Sequence, residues 1–171
     1  MGNSYPRDGY QIIADTEDYE STSPGEFMRL SGEVASGLGR AHVFMSQNHY
    51  QSQFKGILGM SAWPGTLNVE MRGESMGHYS MLRVIAGLEE GDSTEAVEAQ
   101  RIDGFERDGR SFGGATAFMG RVTADGEDWI ECAVLIPDLT RHSSTAEVIS
   151  GSFLREWLPC DDGQVVTIEL N

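Results

Sequence analysis

Short runs of alternating apolar and polar residues, broken at close intervals by glycine-containing turns, fill the second half of the chain. Strands are expected at residues 101–105, 115–122, 129–136, 146–149 and 164–170, separated by the turn signals DG, GG, DG and DDG. That spacing favours an antiparallel barrel or sandwich over a wound α/β sheet. In the first half, residues 30–35 read as a short strand. Residues 66–71 read as another, because Thr66, Leu67, Asn68, Val69, Glu70 and Met71 alternate polar with apolar. Tyr50, Phe54, Ile57 and Leu58 fall on one helical stripe, which predicts a helix over Asn48–Leu58 with Gly59 as its C-terminal stop. The segment 77–100 is ambiguous: HYSMLRVIAGLEE fits a helix, and GDSTEAVEAQ fits a loop or a weak helix. A helix of one or two turns is expected at 152–158, with Gly151 or Ser152 at its N-cap.

Composition narrows this to one folded domain. At 171 residues the chain fills a single core, and a hydrophobic share of 39% with 9% aromatic residues is more than disordered chains carry. The segment ADTEDYESTSPGE is acidic and broken by Ser-Pro-Gly, so residues 1–26 are expected to form a flexible acidic lead-in and 27–171 the domain. Twenty-seven acidic residues face twelve basic ones, a net charge of -15, and Lys55 is the only lysine. Strong salt screens such self-repulsion, so the balance reads as adaptation to a salty cytoplasm, and it argues against binding nucleic acid through phosphates. Cys132 and Cys160 form no CxxC pair and do not read as a zinc site. No signal-peptide pattern and no apolar run of membrane-spanning length is present, so a cytoplasmic protein with no membrane partner is expected.

Two segments carry candidate chemistry. In GEVASGLGRAH, Gly37 and Gly39 can bring backbone N–H groups to a phosphate, because glycine lacks Cβ and readily takes φ > 0. In WPGTLNVE, Pro64 and Gly65 make a turn after which Thr66 and Asn68 project from the same strand face. Two neutral oxygen ligands on one rigid face suit Mg²⁺, which keeps several waters and takes its other oxygens from substrate phosphates. Each half alone has a bland reading, a tight turn and a solvated strand edge respectively. No Walker A pattern exists, since Lys55 is followed by Gly56. Gly73, Ser75 and Gly77 match the GxSxG nucleophile elbow, but that motif belongs to larger, mainly parallel sheets. His42, His49, His78 and His142 show no metal-binding spacing, and Trp63 beside the turn can stack on a flat ring.

Taken together, SGEVASGLGRAHVFMS, the helix at 50–59, WPGTLNVE, IDGF at 102–105, the stretch 140–147 and SFLREWL resemble the archaeal CTP-dependent riboflavin kinases over about residues 30–170. The resemblance implies a mainly β fold, a small six-stranded barrel of the cradle-loop type with a few short helices. It implies transfer of the γ-phosphoryl of CTP to the ribityl 5′-hydroxyl of riboflavin, giving FMN and CDP. Carried over residue by residue, it implies that Gly37, Leu38, Gly39, Arg40, Ala41 and His42 form a first nucleotide-contacting loop and that Ser152, Phe153, Leu154 and Arg155 form a second. Thr66 and Asn68 match the magnesium ligands, and Thr140 and Glu147 match the flavin-contacting threonine and glutamate. Arg40 or Arg155 would supply the positive charge of the missing P-loop lysine, and Glu147 and Glu70 are the candidate bases. The 140–147 interval is one residue shorter than the family pattern, with Ser143 and Ser144 where a proline-containing turn is expected. A non-catalytic flavin- or nucleotide-sensing barrel is the competing reading.

Overall fold

Side-chain alternation decides which face of each strand enters the core. The structure, a computed structural model, describes residues 28–37, 40–92, 97–158 and 160–171. The lead-in expected at 1–26 and the loop residues Leu38 and Gly39 lie outside the described residues. In β1 (Met28–Ala35), Met28, Leu30 and Val34 point inward; in β2 (Leu67–Met71), Leu67, Val69 and Met71 do. Helices α1 (Ala41–Met45) and α2 (Asn48–Leu58) stand between these strands, and α3 (Glu74–Ile85) follows β2. Next come the short strands β3 (Ala99–Ile102), β4 (Phe105–Arg107) and β5 (Arg110–Phe112), then β6 (Ala115–Thr123), β7 (Ile130–Pro137), β8 (Thr145–Ile149), helix α4 (Leu154–Trp157) and β9 (Val165–Leu170).

All sheet pairings are antiparallel, and the order β9-β1-β2-β8-β7-β6 closes when β6 returns to β9. The fold is thus mainly β, a closed six-stranded antiparallel barrel with a few short helices, as the resemblance implied. Closure uses only half of β6. Gly120–Thr123 pair with β9, whereas Ala115–Phe118 pair with β3, which joins the sheet outside the barrel. Gly120 sits where β6 passes β9 most closely, since a Cβ built there would stand 2.1 Å from the Glu169 carbonyl oxygen.

The barrel interior holds Leu30, Val69, Phe118, Val134, Val148, Ile168 and their neighbours, with Tyr79 and Leu82 of α3 and Leu154 of α4 packed against it. A second core lies outside the barrel wall. There Phe54 and Ile57 of α2 pack on Ile102, Ala117, Ala133, Leu135 and Ile149. This explains why β7 reads as the continuous apolar run CAVLI: it is buried on both faces. Burying a side chain such as Phe54 or Ile57 stabilises by about 1.5–3 kcal/mol relative to exposure. The helix α2 occupies the expected residues and ends on Gly59 at φ 77°, whose N–H reaches the Lys55 carbonyl at 2.9 Å.

Several local expectations are corrected. The strand expected at 101–105 is two strands, split at Asp103 and Gly104, and the second opens a hairpin whose Asp108 and Gly109 both take φ > 0. Phe153, rather than Gly151 or Ser152, precedes the first residue of α4, because the Ser152 N–H is already held by Ser150 Oγ. The GxSxG segment forms no nucleophile elbow. Ser75 lies buried in the first turn of α3, where its Oγ accepts the Ser31 N–H at 2.8 Å. Among the described residues no helix is long and apolar enough to cross a membrane.

Candidate functional site

The outer face of the barrel at β2 and β8 carries the polar residues that the strand alternation sends away from the core. Asn68 and Glu147 are direct cross-strand partners there, one on each strand. Asn68 is buried although it points outward, since the chain leaving β1 covers it. Gly37 makes this possible: a Cβ at that position would stand 2.6 Å from Asn68 Nδ2. The glycine is therefore needed for close approach, and its φ is not positive.

With its amide nitrogen turned to Gly37, Asn68 presents Oδ1 to Thr66, whose Oγ1 donates to it at 3.0 Å. Adjacent oxygens in an octahedral Mg²⁺ shell of radius about 2.0–2.1 Å lie about 2.9 Å apart, so the pair fits two neighbouring ligand positions of that ion. The turn before them is fixed on three sides. The Trp63 N–H donates to the Ser150 carbonyl at 2.7 Å, the Gly65 N–H to the Trp63 carbonyl at 2.8 Å, and His42 Nδ1 to the Pro64 carbonyl at 3.2 Å. The last bond ties α1 to the metal-type turn, which gives His42 an anchoring task.

Two compartments open beside this pair. One, of about 860 Å³, is polar and is lined by Gly37, Arg40, Ala41, His42, Thr66, Asn68, His142, Glu147, Arg155, Asp161 and Asp162 among others. The other, of about 460 Å³, is mainly apolar, with Phe44, Tyr50, Phe54, Ile102, Phe112, Leu135 and Leu139 in its walls and Thr140 at its edge. Ala41, Phe44, Thr66 and Glu147 line both, so the compartments meet at Thr66 and Glu147. Burial pushes the Glu147 carboxyl above the usual carboxylate range, and the charge of His142 opposes that shift.

The sequence-predicted residues divide accordingly. Gly37, Arg40, Ala41, His42, Thr66, Asn68, Glu147 and Arg155 come together around the polar compartment. Thr140 stands apart from the polar wall, with its Oγ1 accepting the His142 N–H at 3.1 Å. Ser152, Phe153 and Leu154 line a recess of about 60 Å³ next to Trp63 and Thr66, and Leu154 also reaches the barrel core. Trp63 stacks on Phe153, with centroids 4.8 Å apart and an interplanar angle of 21°. Arg155 donates to Asp162 at 2.7 Å, and Ser36 bonds the same carboxylate. Glu70 lines neither compartment. Its carboxylate accepts from Thr145 Oγ1 at 3.0 Å and Ser144 Oγ at 3.2 Å, which removes it from the candidate bases.

Sequence reasoning missed His142, Asp161 and Asp162 in the polar wall and the aromatic wall of Phe44, Tyr50 and Phe112. In the sequence the DDG segment stands as a turn signal, which gives its two aspartates no binding role. Phe44 and Phe112 sit in elements of five and three residues, too short to give a periodic signal.

The family model CTP-dep_RFKase, described as Domain of unknown function DUF120, matches residues 34–170. The chain is similar to a riboflavin kinase of Halobacterium salinarum, 35% identical over 157 residues, which covers 90% of this chain and 62% of that protein. It is also similar to riboflavin kinases of Haloquadratum walsbyi, at 31% over 144 residues, and of Methanoculleus marisnigri, at 33% over 142 residues. These matches cover 84% and 82% of this chain and 56% of each relative. The chain thus spans between 56% and 62% of the length of these curated relatives. The matched stretch contains every residue that lines the two compartments, and the chain belongs to the CTP-dep_RFKase family.

Proposed function

We propose that the chain is a CTP-dependent riboflavin kinase, transferring the γ-phosphoryl of CTP to the ribityl 5′-hydroxyl of riboflavin to give FMN and CDP. The observation that carries this is the meeting of a polar and an apolar compartment at Thr66 and Glu147. A flat, largely apolar flavin ring and a polyanionic nucleotide need walls of opposite character, and transfer between them needs a shared boundary.

In this reading Gly37, Arg40, Ala41 and His42 hold the nucleotide from one side and the 152–155 stretch from the other. Leu38 and Gly39 belong to the same loop by the family resemblance. Thr66 and Asn68 would hold Mg²⁺, which would supply positive charge to offset that of the phosphates in transfer. Arg40 and Arg155 add positive charge where a P-loop lysine is absent. Thr140 and Glu147 face the flavin side, and Glu147 orients the ribityl hydroxyl and accepts its proton. Phosphoryl transfer asks the protein mainly for such positioning and electrostatics. A sensing module has no use for a paired set of Mg²⁺-type oxygens at the boundary, which favours the enzyme.

The test is incubation with riboflavin, Mg²⁺ and either CTP or ATP in high KCl, suited to the net charge of -15, with FMN detected by fluorescence chromatography. FMN formed with CTP alone is the expected result. Flavin binding without FMN from any nucleotide would sink the kinase reading and leave the sensing module.

A further inference from the structure

His142 occupies the loop between β7 and β8 and lines the polar compartment together with Glu147, Arg40 and His42. Its backbone is fixed at both polar groups. The N–H donates to Thr140 Oγ1 at 3.1 Å, and the carbonyl accepts from Arg83 Nη1 at 2.6 Å. Arg83 is itself held by Glu89 at 2.7 Å, and Glu89 also accepts from Ser80. This frame, built from α3 and the segment after it, sets where the ring begins. Among the described residues the ring nitrogens have no hydrogen-bond partner, so both are available to a ligand.

The charge inventory points the same way. Arg155 lines the polar compartment from α4, paired with Asp162, Arg110 lines only the apolar compartment, and Lys55 lies on α2 outside both. Arg40 lines the polar compartment from the α1 side. On the β8 side, where Glu147 meets the boundary, the side chain able to donate a hydrogen bond is that of His142, which lines the same compartment as Glu147.

Resting on the kinase reading above, we infer that His142 contacts the phosphoryl group in flight, donating a hydrogen bond from its imidazole to a non-bridging phosphoryl oxygen. The ribityl oxygen bonds to the γ-phosphorus as the bond from that phosphorus to the β–γ bridging oxygen breaks. The electron pair of the broken bond stays on the β-phosphate of CDP, and the hydroxyl proton goes to the Glu147 carboxylate. His142 keeps its own proton throughout. Its hydrogen bond strengthens as charge gathers on the phosphoryl oxygens, so it favours the transition state over bound CTP.

The experiment compares the wild-type chain with His142→Ala and His142→Gln in steady-state assays with CTP, riboflavin and Mg²⁺. Riboflavin affinity is followed separately by flavin fluorescence quenching. The expected result is a kcat about 100-fold lower for His142→Ala. The riboflavin Kd and melting temperature stay near wild type, and His142→Gln recovers part of the rate because its amide still donates. A kcat within about threefold of wild type in both variants would overturn the inference, as would a loss confined to riboflavin KM. Absence of FMN from the wild type overturns the kinase reading itself, so the two failures are distinguishable.

Discussion

Gly37 passes so close to Asn68 that a single added carbon would stand 2.6 Å from the Asn68 amide nitrogen. The nucleotide-type loop and the oxygen pair are therefore one packed unit. A Gly37→Ala substitution should force the Asn68 amide to turn and move Oδ1 away from Thr66. The expected outcome is about a tenfold higher Mg²⁺ requirement for activity, with a melting temperature within a few degrees of wild type. A magnesium titration of initial rates, paired with thermal melting, checks it.

Thr66→Ala and Asn68→Ala each remove one oxygen of the pair. Turnover should fall about 10- to 100-fold or more while riboflavin binding, measured by fluorescence quenching, changes little. Unchanged turnover in both variants would remove the metal assignment.

The elevated Glu147 carboxyl sets the sign of a pH effect. Burial is the main cause, opposed by His142. A base must be ionised to act, so kcat should rise with pH along an acid limb centred above the usual carboxylate value of about 4.3. Glu147→Gln should lower the rate and abolish that limb. The same shift has a stability consequence of definite sign. The folded chain holds this proton more tightly than the unfolded chain, so the group's contribution is full at acid pH and fades as pH rises through its folded-state value.

Phe112 stacks on Phe105 with centroids 4.6 Å apart and lines the apolar compartment. Phe112→Ala should weaken riboflavin binding by about tenfold, the order expected for a lost aromatic contact, with CTP KM unchanged. Equal losses for both substrates would contradict the division into two compartments.

Barrel closure depends on Gly120. An alanine there would place Cβ 2.1 Å from the Glu169 carbonyl oxygen, a backbone atom that cannot swing aside. The substitution should cost about 3 kcal/mol or more, read by denaturant unfolding.

Much of this architecture is legible from alternation. The long strands and α2 announce themselves because each buries one defined face over several residues, and Gly59 marks the end of α2 through its left-handed conformation. The α1 segment is not legible, since AHVFM is too short for a period and leaves Val43 and Phe44 substantially exposed. The break at Gly104 is hidden for another reason. Its lack of a side chain is required by the Phe112 carbonyl oxygen, which a Cβ would approach to 2.3 Å, a contact made across the hairpin. At the site, the spacing of Thr66 and Asn68 foretold a shared face, whereas the satisfaction of Glu70 by Ser144 and Thr145 depends on strand register. His142 escaped because its frame comes from Arg83, distant along the chain.

The divided pairing of β6 has a dynamic consequence. The apolar compartment takes its walls largely from α1, α2, β3 and β5, elements outside the closed ring, whereas Asn68 and Glu147 belong to strands within it. Backbone amides of β3 and the β4–β5 hairpin should exchange with deuterium through openings that leave the β1–β2–β8 amides protected. On the kinase reading, this wall can thus loosen around a bulky flavin ring while the two oxygens of Thr66 and Asn68 hold their spacing.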